Sequence, residues 1–331
     1  MPPLAWDAEG LRSKARLYFE RAFDTTDHSD PLFSFWCHLA LELLARAAIA
    51  DVHPALLSGT KRDGLYYGLG LTDGPDFGPE SISSGTVYDL CLRFIDDFGT
   101  AERATCEESR QRRNAELHSA LATFENLPRG WLGRFFAACR ILAQHMNLEL
   151  SDLLGAESAQ LAERLIVDDA EEVRATVRAL IDEAKQRVES LNAADHAQRS
   201  EAAKEALAPR FDAFGSVSPF AQQLPPVITT AGCPACATIA AVRGERVARG
   251  RPRISVDGEL IEPTVAVPTR FDCPVCELVL DGAAQLTVAG LGEPVTLLDY
   301  PDPIETFDVD IDDYRDQFLQ SLADDYAYQD E

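Results

Sequence analysis

Lysine is scarce in this chain of 331 residues, and basic residues are outnumbered by acidic ones, 30 to 55, which gives a formal net charge of −25. No continuous apolar run approaches the roughly 20 residues that span a bilayer. The first ten residues, MPPLAWDAEG, lack a basic segment followed by an apolar one, so they do not resemble a secretory signal. We therefore expect no membrane segment and a cytoplasmic location. Four lysines against 26 arginines suggest GC-rich coding, which is typical of many bacteria.

The negative charge is unevenly distributed along the chain. Residues Asp299–Glu331 contain 12 acidic residues and one basic residue, Arg315, for a net charge of −11, whereas the other 298 residues carry −14. A pI near 4.5 disfavours broad, non-specific binding to duplex nucleic acid, which depends on many cationic side chains at phosphates. It does not exclude a small basic site.

Apolar residues spaced three and four apart predict a helical N-terminal half, from about Leu4 to Leu154. The second predicted helix follows Ser29-Asp30-Pro31, a helix-start signal, and is apolar almost all round, so we expect it to be central. A Gly-rich loop is expected over Gly59–Gly85. The predicted helices cover Ala8–Phe23, Pro31–His53, Val87–Phe98, Thr100–Asn126 and the segment that follows Pro128.

The rest of the chain changes character near residue 212. The segment Val167–Phe211 is rich in charged residues, and its apolar residues recur at nearly helical spacing. This pattern fits either a short coiled coil or a helix packed along its own domain. Beyond it, VITTAG, ATIAAVRG, RISVDG, LIEPTVAVPT and LTVAGLG predict β-strands. The expected fold class is α+β and multidomain: a helical bundle over 1–154, a helical linker over 155–212, a β-rich domain over 213–298 and an acidic tail over 299–331.

Two pairs of cysteines predict a metal centre. Cys233-Pro-Ala-Cys236 and Cys273-Pro-Val-Cys276 are CxxC turns separated by 36 residues. Each turn can present two thiolates, and four thiolates suit tetrahedral Zn²⁺, whereas a reducing compartment disfavours disulfides. Four cysteines leave no open coordination position, so we expect the zinc to be structural. Redox-active or merely buried thiols are the alternatives.

The region around these turns resembles a zinc ribbon with Arg243–Thr269 as a β insertion. The insertion contains the most basic stretch of the chain. It is either a contact surface for nucleic acid or an acidic partner, or an ordinary solvated hairpin. Its arginines are Arg243, Arg246, Arg249, Arg251 and Arg253.

An arginine–histidine pair in the fourth predicted helix is the candidate catalytic feature. Arg and His separated by four to six residues occur five times in the chain, more often than composition predicts, so context selects among them. Arg113 is followed by the polar Asn114, and His118 completes the spacing, so Arg113, Asn114 and His118 are the candidate catalytic residues, with Arg110, Arg112 and Glu42 in support. The neighbouring Arg110 and Arg112 make this the most basic of the candidate pairs.

Arg113-Asn114-x3-His118, after a helix that contains Phe35-Trp36-x5-Glu42, resembles the HEPN family of α-helical ribonucleases. The resemblance covers roughly Leu11–Met146. It implies a bundle that dimerises, or forms a higher oligomer, so that the Arg and His of both protomers share one cleft and cleave RNA without a catalytic metal. It also implies a role as a toxin or antiviral effector, with a regulatory or antitoxin-like protein as a further partner.

The residue types fit this chemistry independently of the family resemblance. The 2′-OH of RNA can attack its own phosphate when a side chain moves protons and a cation stabilises the charge on phosphorus, roles that suit His118 and Arg113. The products would be a 2′,3′-cyclic phosphate and a 5′-OH. Five helical positions separate two side chains by about 140°, so either a long arginine that reaches around the helix or a second protomer across a two-fold axis is expected to complete the site. Alternatively, His118 is a surface or interface histidine bonded to Glu116 or Glu42.

His38, Glu42 and Arg46 form a polar stripe on the apolar second helix. Burying them unpaired would be costly, so each is expected to have a partner. Either Glu42 orients an arginine of the fourth helix, or the three residues form a self-contained ladder.

Two other functions compete with the nuclease. One is a non-catalytic dimeric adaptor that recruits partners through the zinc ribbon and acidic tail. The other, less favoured by the negative charge, is a DNA-binding regulator. We also expect the tail to compete with RNA for a basic surface, with Arg110, Arg112 and Arg113 as the proposed basic residues.

Overall fold

The computed structural model describes residues 5–25, 27, 29–75, 78–125, 127, 130–207 and 226–307. Helices fill the N-terminal part, and an antiparallel sheet fills the C-terminal part, which confirms an α+β arrangement. The helices are α1 (Ala8–Phe23), α2 (Pro31–Val52), α3 (Arg62–Gly68), α4 (Ser84–Phe94), α5 (Thr100–His118), α6 (Trp131–His145), α7 (Leu150–Leu154), α8 (Ala156–Glu189), α9 (Ala193–Leu207), α10 (Ala283–Val288) and α11 (Pro303–Phe307). The strands are β1 (Val227–Gly232), β2 (Ile239–Arg249), β3 (Arg253–Ile254), β4 (Leu260–Asp272), β5 (Val279–Asp281) and β6 (Val295–Asp299).

Helix α2 is the centre of the helical core, as its composition predicts. Its side-chain cap, Asp30, accepts a hydrogen bond from the Leu32 N–H at 2.8 Å, and Pro31 occupies the first turn, where no intrahelical donor is needed. Helix α1 packs along α2, and α4, α5 and α6 contact its other sides. Fully buried Phe33, Leu41 and Leu44 belong to this core.

By length and composition alone, α2 is apolar enough to cross a membrane, the only helix of that kind in the described part of the chain. Its apolar run is not continuous, because Glu42 and Arg46 interrupt it. In addition, 61% of its most apolar window is buried inside the protein, and Glu42 and Arg46 form an ion pair on it. These features are typical of the central helix of a bundle.

Helix α8 packs against α6, α7 and α10. The charged segment is divided between two helices, because α8 ends at Glu189 and α9 begins at Ala193. The approach of α6 and α8 is close because Gly133 has no side chain: a Cβ there would lie 2.6 Å from the carbonyl oxygen of Leu165. The predicted boundary near residue 212 lies outside the described residues.

The strands form one sheet in the order β1-β2-β4-β3, with β5 and β6 also paired to β4. The strand predicted over LTVAGLG is wrong, because the first part of this segment is helix α10. Gly282 precedes α10 in a left-handed conformation (φ 83°), and Gln285 accepts a hydrogen bond from the Asp281 N–H at 3.0 Å. Leu286 of α10 is fully buried, and α10 contacts α5 and α8.

Contacts divide the chain into two compact units. The first contains residues 1–245 and 267–294, and the second contains 246–266 and 295–331. Within the first unit the hydroxyl of Thr100 donates to the carbonyl of Gly292 at 2.8 Å, which ties the start of α5 to the segment after α10. In the second unit β6 pairs with residues 262–266 of β4, and Asp299 accepts hydrogen bonds from Arg246 and Thr264.

Candidate catalytic cluster and metal centre

Helix α5 carries the Arg–His motif and is shorter than predicted. It begins after Gly99, whose N–H donates to Glu102 at 3.0 Å, and it ends at His118 rather than at Asn126. Hydrogen bonds of polar side chains favour the end of α5 at His118. The Ser119 hydroxyl donates to the Ala115 carbonyl, and Thr123 donates from its N–H and its hydroxyl to Glu116. His118 is therefore the last residue of the helix.

Glu42 of α2 lies between two guanidinium groups. Its carboxylate accepts from Arg46 at 3.0 Å on the same helix and also contacts Arg113 of α5. All three side chains are only about 15% exposed. The two sequence interpretations of Glu42 are thus combined: it pairs within α2 and also holds an arginine of α5. One carboxylate between two guanidiniums leaves this cluster with a net charge of +1.

Other polar groups fix the same two arginines. Arg113 donates to the side-chain oxygen of Asn114 at 2.8 Å and to the hydroxyl of Ser84 at 3.4 Å. Arg46 donates to the Ser81 hydroxyl and to the Ile82 carbonyl. Burial lowers the pKa of both arginines from the ordinary value, although a guanidinium stays charged at neutral pH. The cluster therefore ties α2, α5 and the start of α4 around a fixed cationic group.

The two neighbouring arginines of α5 are paired elsewhere. Arg110 contacts Glu107, and these hydrogen bonds raise the pKa of Arg110. Arg112 donates to Glu108 at 2.8 Å and to the Thr123 carbonyl at 3.3 Å. Arg110 and Arg112 thus each have their own carboxylate, whereas Arg113 shares Glu42 with Arg46.

His118 lies apart from the Arg113 cluster. Its side chain is exposed, and among the residues that the structure describes no group forms a hydrogen bond with it. Glu116 is bonded to Thr123, and Glu42 to the two arginines, so neither of the expected carboxylate partners holds His118. Leu117, the residue before His118, is 53% exposed. The structure therefore brings Arg113, Asn114 and Glu42 together but not His118.

His38, the third member of the polar stripe, is part of the core instead. Its Nδ1 lies 2.7 Å from the Ser34 carbonyl oxygen, and the ring packs against Phe124, Trp131 and Phe135 at centroid distances of 4.8, 5.3 and 6.0 Å. Burial lowers its pKa to about 4, so the imidazole is neutral at pH 7. The sequence gives no signal for this aromatic cage, because its rings are about 90 residues away along the chain.

The four paired cysteines converge into one cluster. Their sulfur atoms all lie within 4.8 Å of one another, with Cys233–Cys276 and Cys236–Cys273 each separated by 3.5 Å. Tetrahedral zinc with Zn–S bonds of about 2.3 Å requires S–S separations of about 3.8 Å, so the cluster has the dimensions of a four-thiolate site. The cluster can hold a metal ion.

The two turns that present the sulfurs are built alike. In the first, the Cys233 N–H donates to Thr238 and the Cys233 carbonyl accepts from Ala237, each at 2.9 Å. In the second, Cys273 makes the same bonds with Leu278 and Glu277. Ala237 and Glu277 both adopt a left-handed conformation, with φ of 60° and 59°. In addition, Arg199 of α9 donates to the Val275 carbonyl at 3.3 Å, which connects a helix to the second turn.

Comparisons of the chain with protein-family models, with curated proteins and with solved structures give no match.

Proposed function

We propose that the chain is a metal-independent endoribonuclease with Arg113 and His118 as its catalytic residues and Asn114 and Glu42 as positioning residues. The observation that carries this proposal is the Arg46–Glu42–Arg113 cluster. It holds a cationic group in a fixed, mostly desolvated position and keeps one uncompensated positive charge. Such a preorganised cation stabilises the charge that develops on a phosphate in the transition state.

The reaction needs two proton movements and one bond exchange. The 2′-oxygen forms a bond to phosphorus while its proton passes to an imidazole, and the bond from phosphorus to the 5′-oxygen breaks as that oxygen takes up a proton. Arg113 stabilises the non-bridging oxygens. The products are a 2′,3′-cyclic phosphate and a 5′-hydroxyl end.

A second copy of the chain completes the site in this proposal. Arg113 faces α2 and α4, whereas His118 faces solvent, so one protomer does not direct both groups at one phosphate. Leu117 and Leu121, 53% and 64% exposed on either side of His118, support an interface there, because apolar side chains at the surface favour association. A two-fold axis near this end of α5 would bring two His118 side chains together.

The test is RNA cleavage by the full-length protein in EDTA, with bound metal measured before and after. We expect fragments with 5′-hydroxyl and cyclic phosphate ends. Arg113→Ala and His118→Ala should each lower the rate at least 100-fold, whereas His53→Ala, at another exposed histidine, should not. RNA left intact by the wild type, or cut equally by His118→Ala, would refute the proposal.

A non-catalytic dimeric adaptor is the second candidate. It is favoured by the ion pairs of Arg110, Arg112 and Arg113, each of which has a carboxylate partner within the chain. This function predicts that Arg113→Ala leaves the cellular phenotype unchanged, whereas Cys273→Ser abolishes it. The nuclease predicts loss of the phenotype in both variants.

We further propose that the cysteine cluster binds one structural Zn²⁺. The donor set supports zinc because four thiolates favour this ion, and a closed set leaves no position for substrate. Elemental analysis of the purified protein should find one zinc per chain. A different metal, or none in protein purified under reducing conditions without chelators, would contradict this assignment.

A further inference from the structure

Three arginines at the end of the β2–β4 hairpin have no acidic partner among the residues that the structure describes. We define residues 246–266 as the arginine hairpin. Its first arginine, Arg246, forms an ion pair with Asp299 at 2.9 Å. Arg249, Arg251 and Arg253 are exposed, and within the described ranges of the chain no carboxylate lies within ion-pair distance of them. They form the open cationic surface of the second unit.

The backbone of the arginine hairpin is held by regular hydrogen bonds. The Gly250 N–H donates to the Pro263 carbonyl at 2.6 Å, and Arg253 pairs with Ile261 across the strands. The turn is closed by a hydrogen bond from the Ser255 N–H to the Glu259 carbonyl at 2.8 Å. The three cations therefore project from a fixed scaffold, so a partner would not have to order their backbone on binding.

Apolar side chains are exposed on the same hairpin. Ile254 is 74% exposed and Val256 is fully exposed, at the tip next to the unpaired arginines. The acidic residues of the hairpin, Asp257, Glu259 and Glu262, form no ion pair with these arginines. A surface that combines cations with apolar groups fits a partner in which carboxylates alternate with apolar side chains.

The C-terminal residues of this chain have that composition. Residues 308–331 contain nine acidic residues and one arginine, for a net charge of −8, and the apolar side chains among them include Ile311, Tyr314, Phe318 and Leu322. The segment follows directly on α11, in the same compact unit as the arginine hairpin. Twenty-four residues can reach as far as about 80 Å, so the length of the segment does not limit contact.

We propose that residues 308–331 dock in cis on the arginine hairpin through Arg249, Arg251 and Arg253, with Ile254 and Val256 in contact with their apolar side chains. The alternative surface on α5 is less suited, because Arg110, Arg112 and Arg113 already have carboxylate partners. Single exposed ion pairs are weak, but tethering raises the effective concentration of the segment to the millimolar range. The docking does not depend on nuclease activity.

The test is zero-length cross-linking in the full chain. Arg249→Lys, Arg251→Lys and Arg253→Lys together keep the charge and supply amines, which a carbodiimide joins to touching carboxylates as amides, with loss of water. The chain has only four lysines of its own, so the background is low. A matched control combines Arg62→Lys, Arg164→Lys and Arg178→Lys, at exposed arginines on α3 and α8.

Peptide mapping should find cross-links from positions 249–253 to residues 308–331 in at least 10-fold higher yield than from the control positions. The yield should fall several-fold in 0.5 M NaCl, because salt screens exposed charges. In an equal mixture of ¹⁵N-labelled and unlabelled chains, each cross-linked peptide should have a single isotope composition. No excess over the control, or isotopically mixed products from a second copy, would overturn the proposal. A loss of RNA binding on Arg249→Gln, Arg251→Gln and Arg253→Gln without any tail cross-link would assign the surface to RNA instead.

Discussion

Removal of the Glu42 carboxylate should destabilise the helical core strongly. Glu42→Ala leaves Arg46 and Arg113, both about 15% exposed, without their shared counter-ion. Breaking a buried ion pair from one side costs about 3–5 kcal/mol. Because both guanidiniums keep hydrogen bonds to hydroxyl, amide or carbonyl oxygens, we expect a somewhat smaller cost, about 2–4 kcal/mol in the free energy of unfolding.

The arginines should be less sensitive than the carboxylate. Arg113→Ala still leaves Glu42 paired with Arg46, so its expected cost is about half as large. In a double-mutant cycle the two substitutions should show a coupling of about 1 kcal/mol or more, because the residues touch. Urea denaturation followed by circular dichroism would measure each free energy of unfolding.

The matched control for this prediction is an exposed pair of the same kind. Arg16 and Glu20 on α1 are 62% and 55% exposed and lie 3.2 Å apart. Glu20→Ala should therefore cost less than about 0.5 kcal/mol. If Glu42→Ala costs no more than Glu20→Ala, the shared carboxylate is not a structural centre, and the argument that it positions Arg113 fails.

Three further predictions concern the core and the metal centre. His38 has a pKa of about 4 in the folded chain against about 6.5 in the unfolded chain. Its contribution to the free energy of unfolding is therefore complete above pH 6.5 and is lost as the pH falls toward 4. His38→Gln should remove up to about 3 kcal/mol of this pH dependence of the free energy of unfolding. Cys273→Ser should lose bound metal and speed hydrogen exchange over residues 227–281, whereas Cys139→Ala, at a buried cysteine of α6, should keep the metal. Gly133→Ala should lower the free energy of unfolding by about 1–3 kcal/mol, because its methyl group would clash with the α8 backbone. Gly59→Ala is the control, because Gly59 lies in open space and its substitution should be nearly neutral. Equal unfolding midpoints for the two variants would contradict the close approach of the helices.

The helices that could be predicted from the sequence are those with local start and stop signals. Helix α1 has the predicted bounds because Asp7 caps its first turn through the Gly10 N–H, and α2 begins at the expected Asp30-Pro31 signal. The strand predicted over LTVAGLG was wrong because contacts distant in the sequence, and not local signals, decide the structure of this segment. Its β-branched and apolar residues suit a strand, but the observed helix α10 contacts α5 and α8, which are far away in the sequence.

The candidate sites could be predicted from the sequence to different degrees. The spacing of the cysteines predicts their convergence, since each CxxC turn is a local structure. The contact of Glu42 with an arginine of α5 follows from the cost of burying a carboxylate alone, although that argument did not select Arg113. The separation of His118 from this cluster depends on where α5 ends, which is decided by hydrogen bonds of Ser119 and Thr123 that helical periodicity does not reveal.

The division of the chain has a consequence for its modularity. Residues 246–266 are an insertion in the chain between the two cysteine turns, and they belong to the second unit together with strand β6. Such an insertion can lengthen or shorten by pairs of residues while the cysteine turns at the base of the two strands keep their place. Relatives of this chain are thus expected to vary most in hairpin length, and a variant in which residues 246–266 are replaced by a two-residue turn should keep the zinc that we propose for the cysteine cluster.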